Sequence, residues 1–294
     1  MTNRREFIIK SSALFAGTLI LPSCMKSESS EENVATDAAL AGSRKVENVG
    51  VQLYTFRDAM AKDALGTLEK IAALGYKEIE SARSGMGHYY GLKAAGMKKA
   101  CIDLGMVLRS GHVHLDEDFD KTIAEAVESG QEYLICSSMP KDGQTIDNYK
   151  ATAEAFNKAG EQCKANGIKF GYHNHDYEFE SDGDQVLYDV LMDNTQTDLV
   201  YMELDLGWVI VAGKDPLDYF ARYEGRFPLW HLKDMNMTEK QSTEFGKGGL
   251  DILKMLQNGD KSGVKHVFVE QEEYTIGPFE AMANNMAYLN KLRY

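Results

Sequence analysis

The chain has 294 residues, which suits either two domains of roughly 150 residues each or one α/β barrel of roughly 250. Hydrophobic residues make up 44% and charged residues 26%, so neither a disordered chain nor a protein with many membrane spans fits the composition. The formal net charge of −13 would repel the phosphates of DNA or RNA, and we therefore expect no nucleic-acid partner.

Residues 1–24 have the features of an export signal. Arg4 and Arg5 precede an apolar run at 13–21, which is too short to span a bilayer comfortably. The adjacent arginines resemble a twin-arginine signal, and the segment that ends at Cys24 resembles a lipoprotein cleavage site. We therefore predict a protein exported to the periplasm or cell envelope, attached to the membrane only through a lipid on Cys24.

Residues 25–45 separate this signal from the rest of the chain. They are rich in Ser, Glu and Ala and contain few apolar residues that could anchor a fold. Such a composition is typical of a disordered tether. We expect residues 46–294 to form one catalytic domain.

Beyond the tether, short β-rich runs alternate with segments of helical period. The runs are 49–56, 76–80, 107–115, 133–138, 168–175, 199–205, 227–233 and 266–270. Gly75, Gly105, Gly130 and Gly167 each stand just before a run, where a left-handed helix cap belongs. Eight strand–helix repeats predict an α/β fold, a (β/α)8 TIM barrel. An open doubly wound sheet is the alternative, but no Gly-x-Gly-x-x-Gly motif follows the first run.

Ionisable side chains concentrate at the carboxyl ends of the predicted strands, where barrels carry their active sites. They are Glu80, His112, His114, His173, His175, Glu203, Asp205, His231, Lys233 and Glu270. Carboxylates brought together in a low dielectric repel one another unless a proton or a cation neutralises them. Imidazole and carboxylate ligands therefore predict one divalent cation: Mn, Co, Fe, Zn or Mg.

Four of these stretches are also similar to a known family. They are 172–179 (YHNHDYEF), 203–208 (ELDLGW), 231–234 (HLKD) and 269–270 (VE). Together they resemble the sugar phosphate isomerase/epimerase family of xylose isomerase-like TIM barrels. The resemblance implies one divalent metal held by a Glu, an Asp, a His and a Glu from strands five, six, seven and eight. The last three of these ligands match Asp205, His231 and Glu270 here. His173 stands at the strand-five glutamate position and could ligate the metal instead.

The chemistry implied by this resemblance begins with an enolisable sugar. The metal would polarise the carbonyl and stabilise the enediolate that forms when the α-proton leaves. Glu270 is our first candidate for the base, with His173, Glu178 and Glu203 as alternatives. The predicted substrate-binding residues are Tyr54, Glu80, His112, His114, His175, Trp208 and Lys233. The expected function is therefore that of an isomerase or epimerase of a free sugar or keto sugar.

Two other functions remain open. If the same enediolate expelled a β-leaving group, the protein would be a lyase or hydratase of 3-keto-glycosides. That reaction tolerates a histidine at position 173 better than two-base epimerisation does. A sugar-binding lipoprotein without catalysis is the third possibility, although retention of Asp205, His231 and Glu270 argues against it.

The glycine-rich segment 246–249 (GKGG) lies in a long loop after the seventh predicted strand. Loops at this end of a barrel build the binding site. The segment predicts either a cradle for an anion or a flexible lid.

Overall fold

A computed structural model describes residues 42–139 and 143–294. The predicted signal at 1–24, its Cys24, and all but the last four residues of the tether at 25–45 lie outside these ranges. Within the part of the chain that the structure describes, no helix is long and apolar enough to cross a membrane.

Eight parallel strands close into a barrel, which confirms the predicted fold. They are β1 (Gly50–Gln52), β2 (Glu78–Ser81), β3 (Val107–Val113), β4 (Tyr133–Cys136), β5 (Lys169–His173), β6 (Val200–Asp205), β7 (Leu229–Leu232) and β8 (His266–Val269). Each strand pairs in parallel with the next in chain order, and β8 closes the barrel against β1. The first run is shorter than predicted because the chain turns into a 3-10 helix at Leu53–Phe56.

Helices fill the connections between the strands. They are α1 (Arg57–Lys62), α2 (Ala64–Ala73), α3 (Ala94–Asp103), α4 (Phe119–Ser129), α5 (Ile146–Ala165), α6 (Leu187–Asn194), α7 (Leu206–Val211), α8 (Pro216–Arg222), α9 (Ile252–Gln257), α10 (Gly259–Ser262) and α11 (Pro278–Lys291). A second 3-10 helix lies at Tyr177–Phe179, and two small hairpins pair Ser181–Asp182 with Gln185–Val186 and Asp234–Asn236 with Gln241–Thr243.

The predicted glycine caps are confirmed. Gly75, Gly105, Gly130 and Gly167 have φ angles of +100°, +70°, +76° and +75°. A side chain at a positive φ is strained, so glycine lets each preceding helix turn sharply into the next strand.

The barrel interior has an apolar layer below a polar one. Tyr133, Ile135, Leu229 and Phe268 form a separate buried cluster inside the barrel. Leu229 stands two positions before His231, and because alternate residues of a strand share a face, the histidine lies on the same inner side, nearer the carboxyl end. The main apolar core lies between the strands and the surrounding helices. This arrangement supports a polar site at the carboxyl ends of the strands.

The chain enters the barrel at the opposite end. The backbone of Arg44 exchanges two 3.0 Å hydrogen bonds with Tyr294, and its guanidinium contacts Asp260 at 2.8 Å. These residues border a cavity that also touches Glu78 and His266, the first residues of β2 and β8. The last residues of the predicted tether therefore lie at the amino ends of the strands.

Candidate metal centre

Four side chains from β5, β6, β7 and the end of β8 converge at the carboxyl end of the barrel. This mouth tetrad consists of His173, Asp205, His231 and Glu270, each at most 5% exposed. Nε2 of His173 lies 3.3 Å from Oδ2 of Asp205 and 3.1 Å from Nδ1 of His231. Nδ1 of His231 lies 2.9 Å from Oε2 of Glu270. The four residues that the sequence nominated as metal ligands thus offer atoms within 4.8 Å of one another.

Lys233 supplies the positive charge beside this tetrad. Its Nζ lies 3.0 Å from Oδ2 of Asp205 and 2.8 Å from Oε2 of Glu270. Burial opposes charge on all three groups, but the mutual attraction dominates: the pKa of Lys233 is raised well above its usual value and those of both carboxylates are lowered. Burial, reinforced by His231, lowers the pKa of His173 well below its usual value. His173 is therefore neutral, as a metal-ligating imidazole must be.

A second group of ionisable side chains lies one layer deeper. This inner tetrad consists of Glu80, His112, Glu203 and again His231. Nε2 of His231 lies 2.6 Å from Oε1 of Glu80 and 3.4 Å from Oε2 of Glu203. Nε2 of His112 lies 3.2 Å and 2.8 Å from the same two oxygens. His231 therefore uses one ring nitrogen in each tetrad.

The two carboxylates of the inner tetrad are sealed from solvent, and this perturbs the protonation of the cluster. Glu80 and Glu203 are both 0% exposed. Burial, together with the charge of Glu80, raises the pKa of Glu203 to about 7. Burial would lower the pKa of His112, but the carboxylates of Glu80 and Glu203 raise it to about 9. Two imidazoles and two carboxylates here compete for protons in a low dielectric.

The donor atoms of the mouth tetrad fit a divalent cation. Two imidazole nitrogens and two carboxylate oxygens make a mixed N/O set of the kind that binds Zn, Co, Mn or Fe. In a tetrahedral site with bonds of about 2.0–2.2 Å, ligand atoms stand about 3.3–3.6 Å apart. The separations of 2.9–3.7 Å around Nδ1 of His231 are close to that requirement. Glu80 accepts from the other ring nitrogen and so fixes the orientation of the ring, as carboxylates behind metal-ligating histidines do.

A cavity of about 250 Å³ opens above the tetrads. Its lining includes Tyr54, Ala82, Arg83, His112, His114, Ser137, His173, His175, Trp208, Glu270 and Glu272. Three larger cavities, of 510, 750 and 320 Å³, lie elsewhere on the barrel, and none of them is lined by a mouth-tetrad residue. We therefore place the candidate substrate site over the smaller cavity, because it alone of these four meets the cluster of ionisable groups.

Five of the seven predicted substrate-binding residues line this cavity. They are Tyr54, His112, His114, His175 and Trp208. The other two do not. Glu80 lies beneath it in the inner tetrad, where Gln52 also donates to it at 2.7 Å. Lys233 is 0% exposed, and its ammonium forms ion pairs with Asp205, Glu270 and Glu272. These ion pairs take the place of its predicted contact with substrate.

The alternative bases have different surroundings. Glu178 is buried away from the cavity lining, where its carboxylate accepts from the Tyr172 hydroxyl at 2.5 Å and from the His175 backbone at 2.8 Å. It therefore positions His175 and does not face a substrate. Glu203 lies in the inner tetrad, also outside the cavity lining. His173 and Glu270 are the candidate bases that line the cavity.

Sequence reasoning missed several residues of the site. Arg83 and Ser137 line the cavity, and Gln52 holds Glu80. Glu272 also lines the cavity; it was recognised among the polar residues at the end of the eighth predicted strand, but no role was predicted for it. Gln52, a polar residue between Val51 and Leu53 in the first run, was a signal that could have been used.

The glycine-rich loop binds an anion that belongs to the chain itself. The carboxylate of Asp234 accepts hydrogen bonds of 2.9–3.0 Å from the backbone N–H groups of Met235, Gly246, Gly248 and Leu250. The amides that could have cradled a substrate anion are therefore occupied. The clamp also ties the loop to β7, which disfavours the predicted alternative of a free lid.

Comparison with known proteins gives a family match over most of the barrel. The model of a family described as "Xylose isomerase-like TIM barrel" matches residues 68–292. An inosose dehydratase from Clostridium perfringens is 28% identical over 173 residues, a match that covers 51% of this chain and 58% of the relative. The chain thus spans little more than half the length of this curated relative.

Solved structures agree with the fold. A sugar phosphate isomerase/epimerase from Parabacteroides distasonis superposes with a TM-score of 0.74 at 26% identity, covering 83% of this chain and 97% of the other. A xylose isomerase-like TIM barrel protein from Mycobacterium smegmatis, solved in complex with magnesium, superposes with a TM-score of 0.60 at 14% identity. That match covers 82% of this chain and 95% of the other and speaks for the fold alone.

Proposed function

The chain belongs to the xylose isomerase-like TIM barrel family, and on this premise we propose that it is a metal-dependent enzyme that enolises a keto sugar or a related polyhydroxy ketone. The observation that carries the proposal is the mouth tetrad, which gathers two imidazoles and two carboxylates at the base of an open cavity. Similarity to inosose dehydratase and to a sugar phosphate isomerase/epimerase supports this substrate class.

The residues that would hold the cation are His173, Asp205, His231 and Glu270. When bound, a divalent cation polarises a substrate carbonyl and stabilises the negative charge that develops as the α-proton leaves. Lys233 and Glu80 act from outside this set. The ammonium of Lys233 orients both carboxylates, and Glu80 orients the imidazole of His231.

Glu270 is the residue we assign as the base. It lines the cavity, and its lowered pKa keeps the carboxylate ionised at neutral pH, so it can accept a proton, although the same shift makes it a weaker base. His114 and His175 line the same cavity and belong to neither tetrad. They are placed to hold substrate hydroxyls and to return a proton to a departing oxygen.

We favour β-elimination, the reaction of a dehydratase or lyase, as the outcome of enolisation. Epimerisation through two bases needs a second base on the opposite face of the substrate, and His173, at the strand-five position, would have to serve as that base while its Nε2 ligates the metal. Elimination needs one base and one acid, which Glu270 with His114 or His175 can supply. Isomerisation or epimerisation, the function expected from the sequence, is the second candidate, and similarity to the Parabacteroides distasonis isomerase/epimerase favours it.

Exchange of the substrate α-hydrogen with solvent deuterium tests the shared enolisation step. Metal-loaded protein should exchange this hydrogen in at least one member of a panel of aldoses, ketoses, inososes and 3-keto-glycosides. Removal of the metal by a chelator should abolish the exchange, and so should Glu270→Gln, which removes the base. The matched control is Glu280→Gln, because Glu280 is exposed at the start of α11, outside the cavity lining.

The same samples separate the two outcomes. Elimination gives an unsaturated ketone, which carries a new vinylic NMR signal, whereas isomerisation or epimerisation gives a saturated product. Absence of exchange from the whole panel by metal-loaded wild type would overturn the proposal.

We also propose that the chain is exported and carries a lipid on Cys24. The Arg-Arg motif, the apolar run and Cys24 support this, and the entry of the chain at the amino ends of the strands fits a barrel whose mouth faces away from the membrane. In fractionated cells, wild type should be in the membrane fraction and Cys24→Ser in the soluble exported fraction. Recovery of both variants in the cytoplasm would contradict the proposal.

A further inference from the structure

The inner tetrad has the geometry of a second cation site, which the proposed function does not require. Its four candidate donor atoms are Oε1 of Glu80, Oε2 of Glu203, and the Nε2 atoms of His112 and His231. Four of the separations among them are 2.6, 2.8, 3.2 and 3.4 Å. Ligands in a tetrahedral site of N and O atoms stand about 3.3–3.6 Å apart, so the closest pairs of donor atoms would have to move apart by roughly 0.5–1 Å around an ion.

Hydrogen bonds alone leave this cluster incompletely satisfied. Oε2 of Glu80 and Oε1 of Glu203 are buried and have no hydrogen-bond partner among the described residues. Both side chains are 0% exposed. A buried carboxylate oxygen without a partner is costly. These two oxygens are not the donor atoms named above, and an ion held through both oxygens of each carboxylate would satisfy them as well.

No permanent positive charge offsets these two carboxylates. Within residues 42–139 and 143–294, no lysine or arginine forms an ion pair with Glu80 or Glu203. Lys233 points to the mouth tetrad instead, where it contacts Asp205 and Glu270. The mouth tetrad therefore has a built-in counter-charge, and the inner tetrad has only imidazoles.

We propose that the inner tetrad binds a second divalent cation of the zinc or cobalt type, with Glu80, His112, Glu203 and His231 as ligands. His231 then bridges the two sites, with Nδ1 in the mouth tetrad and Nε2 in the inner tetrad. Its ring lies parallel to that of His112 at 5.2 Å, so both rings present Nε2 to the same two oxygens. Two nitrogens and two oxygens without a thiolate suit Zn(II) or Co(II).

Occupation of this site exchanges protons for metal. An imidazole nitrogen that binds a metal cannot keep its hydrogen, so the protons on Nε2 of His231 and on Nε2 of His112 are both released to solvent as the second ion binds. Glu203, whose pKa is raised to about 7, also releases any proton that it holds, so both carboxylates face the ion in the charged form. The ion therefore replaces the shared protons that otherwise hold the inner tetrad together.

Metal stoichiometry tests the proposal without any assay of activity. Protein stripped with a chelator is titrated with Co(II) or Zn(II), dialysed and analysed for bound metal per chain. Wild type should bind two ions, and Glu203→Gln and His112→Asn should each bind one, because they remove a ligand of the inner tetrad alone. Asp205→Asn should also bind one, because it removes a ligand of the mouth tetrad alone, and Glu280→Gln should bind two.

Spectroscopy of the cobalt-loaded wild type adds a readout that needs no variant. An imidazolate bridge couples two Co(II) ions magnetically, so the EPR signal per cobalt should be weaker with two equivalents than with one. A wild type that saturates at one ion, or a Glu203→Gln variant that still binds two, overturns the proposal. A one-ion wild type that still exchanges deuterium would refute only the second site and leave the proposed function intact.

Discussion

His231 shows, at the scale of one residue, how much the sequence could and could not tell. Its place at the end of the seventh strand was readable, and so was its role as a metal ligand by resemblance. The sequence could not show that each ring nitrogen faces a different cluster, because this depends on Glu80, which is 151 positions away. Glu80 itself was expected to touch substrate. It lies beneath the cavity instead, and its position along the strand did not show how deep in the barrel the side chain lies.

The ammonium of Lys233 should compete with the cation for Asp205 and Glu270. Lys233→Met removes this positive charge from contacts of 3.0 and 2.8 Å. We expect the affinity of the mouth tetrad for a divalent cation to rise, roughly tenfold, because an opposing charge at such distances costs about 1 kcal/mol or more. Deuterium exchange should fall because Glu270 and Glu272 lose their partner. Isothermal titration of metal-free protein measures the affinity.

The matched control for this variant is Lys254→Met, since Lys254 is exposed and lies 4.0 Å from the exposed Asp215. It should keep the wild-type affinity. A Lys233→Met variant that binds the cation no more tightly than wild type would mean that the ammonium does not compete.

Protonated His112 should stabilise the metal-free protein, and this stabilisation should be lost as the pH rises and His112 gives up its proton. Its pKa is about 9 in the folded chain, against 6.5 ordinarily. The stabilisation is therefore complete below pH 6.5 and is lost as the pH rises through 9, by up to about 3 kcal/mol. Urea unfolding of metal-free wild type should show this fall, and His112→Asn should show a much flatter profile in the same window.

His88→Asn serves as the control, because burial lowers the pKa of His88 and keeps it neutral above pH 6.5. It should retain the wild-type slope. Equal slopes for wild type and His112→Asn would refute the assignment of this pH dependence to His112.

At the scale of elements, the alternation of strands and helices was predictable because strand runs, helical period and glycine caps all agreed. The hairpin of Asp234–Asn236 with Gln241–Thr243 was missed. It lies in the long loop after β7, where polar residues and glycines read as irregular chain. Its anchor, Asp234, is a tertiary contact that no local pattern displays.

The clamp made by Asp234 gives a prediction at this scale. Asp234→Asn replaces an acceptor of four backbone hydrogen bonds with a group that presents N–H to some of the same amides. We expect a loss on the order of 2–3 kcal/mol in the free energy of unfolding. Hydrogen exchange at the Gly246, Gly248 and Leu250 amides should quicken more than elsewhere.

Asp218→Asn is a suitable comparison, because Asp218 is exposed in α8. It should leave both the stability and the loop amides unchanged. If the loop amides of Asp234→Asn exchanged at the wild-type rate, the clamp would not be what holds this segment.

For the whole molecule, barrel closure follows from the pattern of repeats, and convergence of the site follows from closure. Once eight parallel strands are assigned, their carboxyl ends must meet at one mouth. Closure explains why residues at the strand ends converge, and the family resemblance indicated which four of them form the mouth tetrad. The cavity lining was harder to predict, because Arg83 and Ser137 lie in loops whose course depends on packing against neighbouring connections.

Net charge belongs to the same scale. With −13 overall, the surface disfavours nucleic acids and leaves neutral sugars as fitting ligands. The acidic balance also favours divalent cations near the barrel. Neither consideration selects a substrate, which depends on the few side chains around a cavity of about 250 Å³.

The central claim is that strands five to eight bring His173, Asp205, His231 and Glu270 around one cation. A crystal structure of the zinc-loaded protein, with anomalous data collected at the zinc edge, tests it most directly. The account predicts an anomalous peak about 2.0–2.2 Å from the ligand atoms of all four residues. A zinc-saturated crystal with no peak between these side chains would contradict it.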